Sequence, residues 1–271
     1  MPPKAEQVRE ELAGLMDLFT GAMNRVVTAY AERRNRDRDI YWLALQAAKE
    51  YGAIGTHFRI MMQKAKDMQP LQSIRKSSED AYEEVEHYYG YRKILDWYLD
   101  GQPCPVPDWW DYGDFGEAFN AGPAMKQSLW PEHYGYVEMA RRLSAEARSP
   151  WVEQVIRSNR EGAAVSFHYV FSKLPATDEY MKRVTQHEHS VAEDELHHGP
   201  ELIEKLARQV QSEAEVAEAV ARLTDLRVQE LRQRNEQFMN PLSPAEFAAL
   251  ESDFRQKRVE PITLFSVGMT A

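Results

Sequence analysis

Apolar side chains near the start of the chain recur at the three- and four-residue spacing that places them on one face of an α-helix. Val8, Leu12, Leu15, Phe19 and Val27 show this period. Glycine and proline number only 13 and 14 and are clustered, so long stretches are free of helix breakers. The pattern predicts an all-α protein. Helices are expected over about residues 6–33, 39–68, from Ser77 or Ser78 to Leu99, 150–173, 177–210 and 213–239, with a last one opening at residue 243.

Polar residues and prolines mark where several of these helices begin. Ser149 followed by Pro150 is an N-cap with proline at the first helical position. Residues 243–246, Ser-Pro-Ala-Glu, match a capping box, in which the serine and the glutamate each bind a free backbone amide. Ser77 or Ser78 is the expected N-cap of the third helix. These signals predict helix starts without reference to any other protein.

Two segments are expected to lie outside the long helices. Residues 100–148 are rich in aromatic and turn residues and lack a helical period, which predicts a long crossover or lid. Residues 262–267 are apolar enough to dock on the rest of the protein. We expect the chain to form a single domain over residues 1–271.

The amino-acid composition disfavours several classes of function and suggests a cellular location. The chain has 33 Lys and Arg against 43 Asp and Glu, a formal charge of −10, which disfavours binding to nucleic acid or an anionic membrane. Cys104 is the only cysteine, so no internal disulfide, cysteine-rich zinc site or iron–sulfur cluster is expected. No apolar run of membrane-spanning length and no export signal is visible, so a cytoplasmic location is expected.

Two Glu-x-x-His sequences carry the candidate chemistry. They are Glu84 with His87, and Glu195 with His198. Residues three apart share a helix face, so each pair can present a carboxylate and an imidazole to one point. In a chain this rich in glutamate, one such pair alone would carry little weight, because it would usually be a surface contact.

An internal repeat strengthens this signal. Glu50 precedes Glu84 by 34 residues, and Glu161 precedes Glu195 by the same 34. An offset of 111 residues relates the two sets, and the sequences that begin at Glu50 and Glu161 are themselves similar. The chain therefore contains two similar helix hairpins, each with a glutamate on its first helix and Glu-x-x-His on its second.

A pair of iron ions bound between the two hairpins would give a physical reason for four glutamates and two histidines at these spacings. Four inward-facing glutamates are costly to bury unless a cation compensates them, and two neutral imidazoles complete the coordination. The pattern resembles the ferritin-like di-iron carboxylate superfamily, in its oxygenase or oxidase branch, over about residues 39–210. That resemblance implies a four-helix bundle with a long crossover between bundle helices 2 and 3. The sequence pattern places an N-terminal helix at 1–38 before this bundle, the crossover at 100–148 within it, and C-terminal helices and a tail at 211–271 after it.

The resemblance also implies roles for individual residues. Glu50 and Glu161 match the terminal carboxylates, and Glu84 and Glu195 the bridging ones. His87 and His198 match the imidazole ligands, so that Glu50 with His87 serves one ion and Glu161 with His198 the other. The implied cofactor is two iron ions, or one manganese and one iron.

Four further residues are candidates for a second layer around the metals. Glu83 and Asp194 precede the bridging glutamates, where an acid in this superfamily hydrogen-bonds a ligand histidine. His57 and His168 follow Glu50 and Glu161 by seven residues, about 10 Å along the helix. They are either a second layer or pocket wall, or core histidines retained from a duplication. His187 and His189 have no informative spacing and are expected to be ordinary helix residues.

The resemblance implies a dioxygen-activating oxygenase or oxidase that hydroxylates, desaturates or N-oxygenates a small organic substrate. No glycine-rich loop for NAD or flavin is present, so electrons are expected from a ferredoxin or a reductase. A second copy of the chain is a further candidate partner.

One alternative function is ferritin- or rubrerythrin-like iron handling or peroxide reduction, and another is a metal-free helical interaction protein. Val191 argues against a haem-oxygenase-like di-iron oxidase, and the acidic charge argues against a tRNA-modifying hydroxylase.

Overall fold

The computed structural model describes residues 5–102, 130–196 and 198–266, apart from the side chains of residues 159–162 and 198–202. Within these ranges every regular element is an α-helix, which confirms the all-α prediction. The helices are α1 (Ala5–Arg33), α2 (Arg36–Lys66), α3 (Leu71–Leu99), α4 (Pro131–Ala145), α5 (Pro150–Ser172), α6 (Glu179–Glu195), α7 (His198–Ala207), α8 (Glu213–Gln237) and α9 (Pro244–Arg255).

Two helix starts follow the predicted capping chemistry. The Ser149 side chain accepts a hydrogen bond from the backbone amide of Val152 at the start of α5. Ser243 and Glu246 form the complete capping box at the start of α9. Both predictions are confirmed because these caps are local and need no tertiary contact.

The predicted start of α3 is wrong. The helix begins at Leu71, directly after Pro70, and Ser77 is buried inside it rather than capping it. The ammonium group of Lys64 on α2 lies 2.7 Å from the Ser77 hydroxyl. α3 therefore begins about two turns before the predicted cap. The pairing of α2 with α3 is a tertiary contact, and a local cap signal in the sequence contains no information about it.

The predicted helix over residues 177–210 is divided in two. Its N-cap is Asp178, one residue later than Thr177, and α6 ends at Glu195 before α7 starts at His198. Pro200 explains the break, because its ring would clash with the carbonyl of Leu196 in a continuous helix. As the third residue of α7, Pro200 has no intrahelical amide bond to lose.

The predicted crossover also contains a helix. α4 occupies residues 131–145 and packs against α5 and α8, burying Tyr136, Ala140 and Leu143. Pro131 is its first helical residue. The expectation of an irregular segment is therefore wrong for this part, and residues 103–129 lie outside the described residues.

The helices pack as two hairpins joined to a common core. α2 pairs with α3 and α5 pairs with α6, while α3 contacts α6 between the hairpins. α1 packs against α5, α7 and α8. Stacked aromatic rings fill the centre: Trp42 lies 4.7 Å from Phe171, and Tyr30 lies 4.3 Å from Phe238, between ring centroids.

The buried part of α2 ends near the candidate chemistry. Its buried residues run only from Asp39 to Ala48, and the side chains from Lys49 onwards are half-buried or exposed. Glu50 therefore lies at the boundary between the core and the outer part of the α2–α3 hairpin. None of the helices in the described part of the chain has both the length and the apolar composition needed to cross a bilayer.

The C-terminal tail docks on α1, as its apolar sequence predicts. The Asp17 carboxylate accepts hydrogen bonds from the backbone amides of Leu264 and Phe265, each at 2.8 Å. The Phe265 ring is buried. A buried acid on α1 thus fixes the end of the described chain.

A buried carboxylate ties three helices together at the base of the first hairpin. Asp39 on α2 is 1% exposed and accepts hydrogen bonds from Tyr30 of α1 at 2.7 Å and Tyr98 of α3 at 2.9 Å. The Arg34 guanidinium supplies the opposite charge at 2.8 Å.

We expect Asp39→Ala to lower the free energy of unfolding by about 3 kcal/mol, because it removes the acceptor of two phenols and one of the two carboxylates that pair with Arg34. The matched control is Asp225→Ala, which breaks an exposed ion pair with Arg255 and should cost less than about 1 kcal/mol. Urea unfolding followed by circular dichroism measures both. Equal losses in the two variants would contradict the role given to Asp39.

Candidate metal centre

Three of the six predicted ligands come together where α2 and α3 pack side by side. Glu50 lies on α2, and Glu84 and His87 lie on one face of α3. A ligand atom from each lies within 4.8 Å of the other two. His87 is buried and the two glutamates are half-buried. Two carboxylates and an imidazole at this separation can bind one divalent cation.

Asp194 from α6 orients the imidazole of His87. The His87 Nε2 atom lies 3.2 Å from the Asp194 Oδ2 atom. If Nε2–H donates to this carboxylate, the lone pair of Nδ1 is left for a metal, and Nδ1 faces Glu84 Oε2 at 3.8 Å. Asp194 thus makes the contact expected of an acid behind a ligand histidine. Glu83, its counterpart on α3, is half-buried, and its role stays a prediction.

His57 contacts the cluster although its spacing from Glu50 suggested a longer distance. Its Nε2 atom lies 3.3 Å from Glu84 Oε1. The rise along α2 separates His57 from Glu50, but α3 runs antiparallel beside α2 and brings Glu84 within its reach. One oxygen of Glu84 is therefore held by His57, and the other faces His87.

Close packing of these groups shifts their pKa values. Burial and the neighbouring Glu84 carboxylate raise the pKa of Glu50 to about 8. Burial opposes ionisation of Glu84, but His57 and His87 outweigh it and hold the pKa of Glu84 well below its usual range. Burial likewise opposes the charged form of His87, but Glu84, Glu50 and Asp194 raise the pKa of His87 to about 9.

One carboxylate oxygen of the cluster is buried without a hydrogen-bond partner. It is the Oε2 atom of Glu84. A buried carboxylate oxygen without a partner is costly, and a cation that also contacts Glu50 and His87 would compensate it. The donor set of carboxylate oxygens and an imidazole nitrogen suits iron or manganese. These residues therefore fit the implied metal.

The second predicted half of the centre is described only in part. Glu161 on α5 and His198 on α7 have side chains outside the described residues, and Glu195 is half-buried at the last position of α6. The break between α6 and α7 separates Glu195 from His198, so this Glu-x-x-His pair does not share one continuous helix face. Its role as a metal site stays a prediction.

Sequence reasoning missed a buried acid, Glu188 on α6. Glu188 is fully buried, with one oxygen 2.6 Å from the hydroxyl of Tyr91 and the other 2.6 Å from His168 Nδ1. His168 was a candidate for the second layer, and it lies against this acid. Burial opposes ionisation, but His168 and Tyr91 hold the pKa of Glu188 below its usual range.

The antiparallel pairing of α5 with α6 contains a signal that finds Glu188. In an antiparallel hairpin, His168 lies seven residues after Glu161 and therefore at the height of the residue seven before Glu195, which is Glu188. The equivalent residue of the first hairpin is Ser77. In the first hairpin Ser77 contacts Lys64, and the acid in contact with His57 is Glu84.

His187, expected to be an ordinary helix residue, packs behind the centre. Its Nε2 atom lies 3.1 Å from the backbone oxygen of His87, and its ring stands edge-on to Tyr91 at 4.4 Å. A Cβ atom at Gly90 would lie 2.0 Å from this ring, so the glycine makes room for it. Burial lowers the pKa of His187 to about 4, which leaves its ring neutral at pH 7.

Metal binding is expected to release protons. With pKa values of about 8 and 9, Glu50 and His87 both carry a proton at pH 7 in the metal-free protein, and each must lose it to coordinate a metal. The affinity for Co²⁺ should therefore rise between pH 6.5 and 8.5, by up to about tenfold per pH unit for each proton released. Calorimetry in two buffers of different protonation enthalpy measures this release, and an affinity independent of pH would contradict it.

Comparison with models of protein families, with curated proteins and with solved structures finds no match to this chain. The case for a metal centre therefore rests on the residues themselves. It consists of the observed convergence of Glu50, Glu84 and His87 and of the repeated spacing in the sequence.

Proposed function

We propose that this protein is a non-haem di-iron oxygenase or oxidase that uses dioxygen to oxidise a small organic substrate. The observation that carries the proposal is the cluster of Glu50, Glu84 and His87, in which Glu84 has a buried oxygen without a hydrogen-bond partner. The 111-residue repeat supplies the equivalent residues for a second ion.

The packing of the hairpins supports a ferritin-like arrangement. α2, α3, α5 and α6 correspond to the four bundle helices, and the contact between α3 and α6 brings Asp194 to His87. Glu195 follows Asp194 directly, so in this proposal it lies near the same centre. Glu84 and Glu195 would then both be available to hold metal between the hairpins.

The side chains around the centre each have a defined task. Glu50, Glu84 and His87 would hold one ion, and the repeat assigns Glu161, Glu195 and His198 to the other. When bound, the iron pair supplies the electrons for the reduction of dioxygen. Asp194 keeps the proton of His87 on Nε2, and His57 fixes one oxygen of Glu84.

Electrons for repeated turnover come, in this proposal, from a ferredoxin or a reductase. The sequence has no glycine-rich loop that would hold NAD or a flavin within the chain. The buried Glu188, Tyr91 and His168 connect α6, α3 and α5 by hydrogen bonds. They hold both hairpins in register beside the centre.

One observation favours a second candidate, ferritin- or rubrerythrin-like iron handling. Glu50 and Glu84 are half-buried, and the Glu84 side chain keeps 14% of its exposure. Iron could therefore enter from solvent at the edge of the α2–α3 hairpin. Both candidate functions use the same metal ligands. They differ in what dioxygen oxidises: an organic substrate in an oxygenase or oxidase, and further iron ions in an iron-handling protein.

We expect anaerobic loading with ferrous iron to give about two irons per chain. Glu84→Ala and His87→Ala should lose most of this iron, because each removes one of the three side chains that converge at the described half of the centre. The matched control is Glu86→Ala on the same helix turn, where the side chain is exposed, and it should load iron as the wild type does. Wild-type iron content near zero would exclude both candidates and leave a metal-free helical protein.

Mixing the iron-loaded protein with dioxygen then separates the candidates. An oxygenase or oxidase should convert one class of organic compound, with one dioxygen consumed per product, and Glu84→Ala should abolish that product. Mass spectrometry of a metabolite panel measures the conversion. Oxidation of iron beyond two ions per chain, without any organic product, would support iron handling instead.

A further inference from the structure

Exposed apolar surface is concentrated on the α2–α3 hairpin. Of the large apolar side chains that are exposed in the described part of the chain, all except Met239 lie between Tyr51 and Trp97. The outer half of α2 contributes Tyr51 at 52%, Phe58 at 45% and Met62 at 62% exposure. Apolar surface gathered on one element in this way marks an interaction site.

Five exposed residues form a single stripe along the outer half of α2. Their spacing alternates between four and three residues, which places them on one face of the helix. These residues, called the α2 stripe below, are Tyr51, Gly55, Phe58, Met62 and Ala65. α3 packs mainly on another face of α2, where His57 and Lys64 contact it. Tyr51, at one end of the stripe, also touches α3, with its ring centroid 5.6 Å from that of Tyr88.

The α2 stripe continues a face of the same helix that is buried in the core. Ile40, Ala44 and Ala47 precede Tyr51 at the same alternating spacing, and each is at most 4% exposed. This face of α2 is therefore apolar along the whole helix, but other helices of the described chain cover only its first half. An apolar stripe with this spacing is typical of a helix that packs against another helix.

A recess and a protrusion lie one turn apart on the α2 stripe. A Cβ atom on Gly55 would have open space around it, with no atom of another element within 4 Å. Phe58, three residues further along the same face, presents a half-exposed ring. Glycine inside a helix costs about 1 kcal/mol relative to alanine. No contact within the described residues accounts for a glycine at this position.

We propose that a second copy of this chain packs against the α2 stripe, antiparallel to it, about a two-fold axis between Gly55 and Phe58. That axis places Phe58 of each chain opposite Gly55 of the other, and Tyr51 opposite Met62. A recess and a protrusion on the two sides of the axis complement themselves. A second copy therefore fits this face, whereas an unrelated partner would need a matching pair of its own. Such a dimer needs no metal and is independent of the proposed function.

The length of the α2 stripe sets the expected affinity. Tyr51 to Ala65 spans about 21 Å of helix by the rise per residue. One helix pair of this length buries less than the roughly 800 Å² per partner of a standard interface. We therefore expect a reversible dimer with a dissociation constant of about 1–100 µM.

Sedimentation equilibrium of the metal-free full chain, from about 1 to 300 µM, measures this constant. Gly55→Leu fills the recess and should weaken the dimer about tenfold or more, while it stabilises the single chain because leucine is the better helix former. Phe58→Ala removes the protrusion and should weaken the dimer about tenfold. The control, Ile60→Ala, removes an exposed apolar side chain from the opposite face of α2, and it should dimerise as the wild type does.

Exchanging the recess and the protrusion tests the symmetry of the pairing. When Gly55→Phe is combined with Phe58→Gly, the axis again places a ring opposite a glycine. This double variant should dimerise within about threefold of the wild type, although each substitution alone weakens the dimer about tenfold.

Cross-linking tests the antiparallel register. Cys104→Ser removes the native thiol, and Tyr51→Cys with Met62→Cys then places two thiols opposite each other across the axis. A short thiol-specific reagent should join two such chains. Ile60→Cys in the same background should stay unlinked, because residue 60 lies on the far side of the helix.

Three results would overturn the inference. The wild type could stay monomeric over the whole concentration range, Gly55→Leu and Phe58→Ala could both leave the dissociation constant unchanged, or Ile60→Ala could weaken the dimer as much as they do. A monomer whose unfolding temperature falls with Phe58→Ala would show that the same chain covers the α2 stripe, and it would equally overturn the inference. None of these results bears on iron binding, which is measured separately.

Discussion

An ionised side chain inside a protein must be matched by an opposite charge or by hydrogen bonds, and this requirement organises the molecule. Asp39 is matched by Arg34 and two phenols, and it ties α1, α2 and α3 together. Glu188 is matched by His168 and Tyr91. These buried acids account for much of the polar structure between the helices.

The same requirement makes the cluster on α2 and α3 informative. Glu50, Glu84 and His87 lie close enough to shift one another's pKa values, and one oxygen of Glu84 is buried without a hydrogen-bond partner. A bound cation would replace the protons of Glu50 and His87 and fill the position that Glu84 leaves open.

Much of the fold could be predicted because its signals are local. Helical periodicity and the caps at Ser149 and Ser243 depend on neighbouring residues only, and both are confirmed. The start of α3 at Leu71 depends on pairing with α2, which a cap signal does not contain. The break before His198 follows from Pro200, and the size of the break depends on how the neighbouring helices pack.

The metal-site residues whose spacing recurs in both hairpins could be predicted from the sequence. Residues near the site that lack an equivalent in the other hairpin were missed. Glu50, Glu84 and His87 follow from the offset between the hairpins. Glu188 has no counterpart in the first hairpin, where Ser77 occupies the equivalent position, so the repeat did not mark it. His187 acts through a backbone oxygen and through the space left by Gly90, and neither contact has a sequence motif.

The central claim is that two equivalent halves of this chain hold two metal ions between them. Anomalous diffraction at the iron absorption edge, from crystals of the iron-loaded protein, tests it most directly. We predict two peaks about 3.5–4 Å apart, one beside Glu50 and His87 and the other beside Glu161 and His198. A single peak at Glu50, Glu84 and His87, or no peak between the hairpins, would contradict the account.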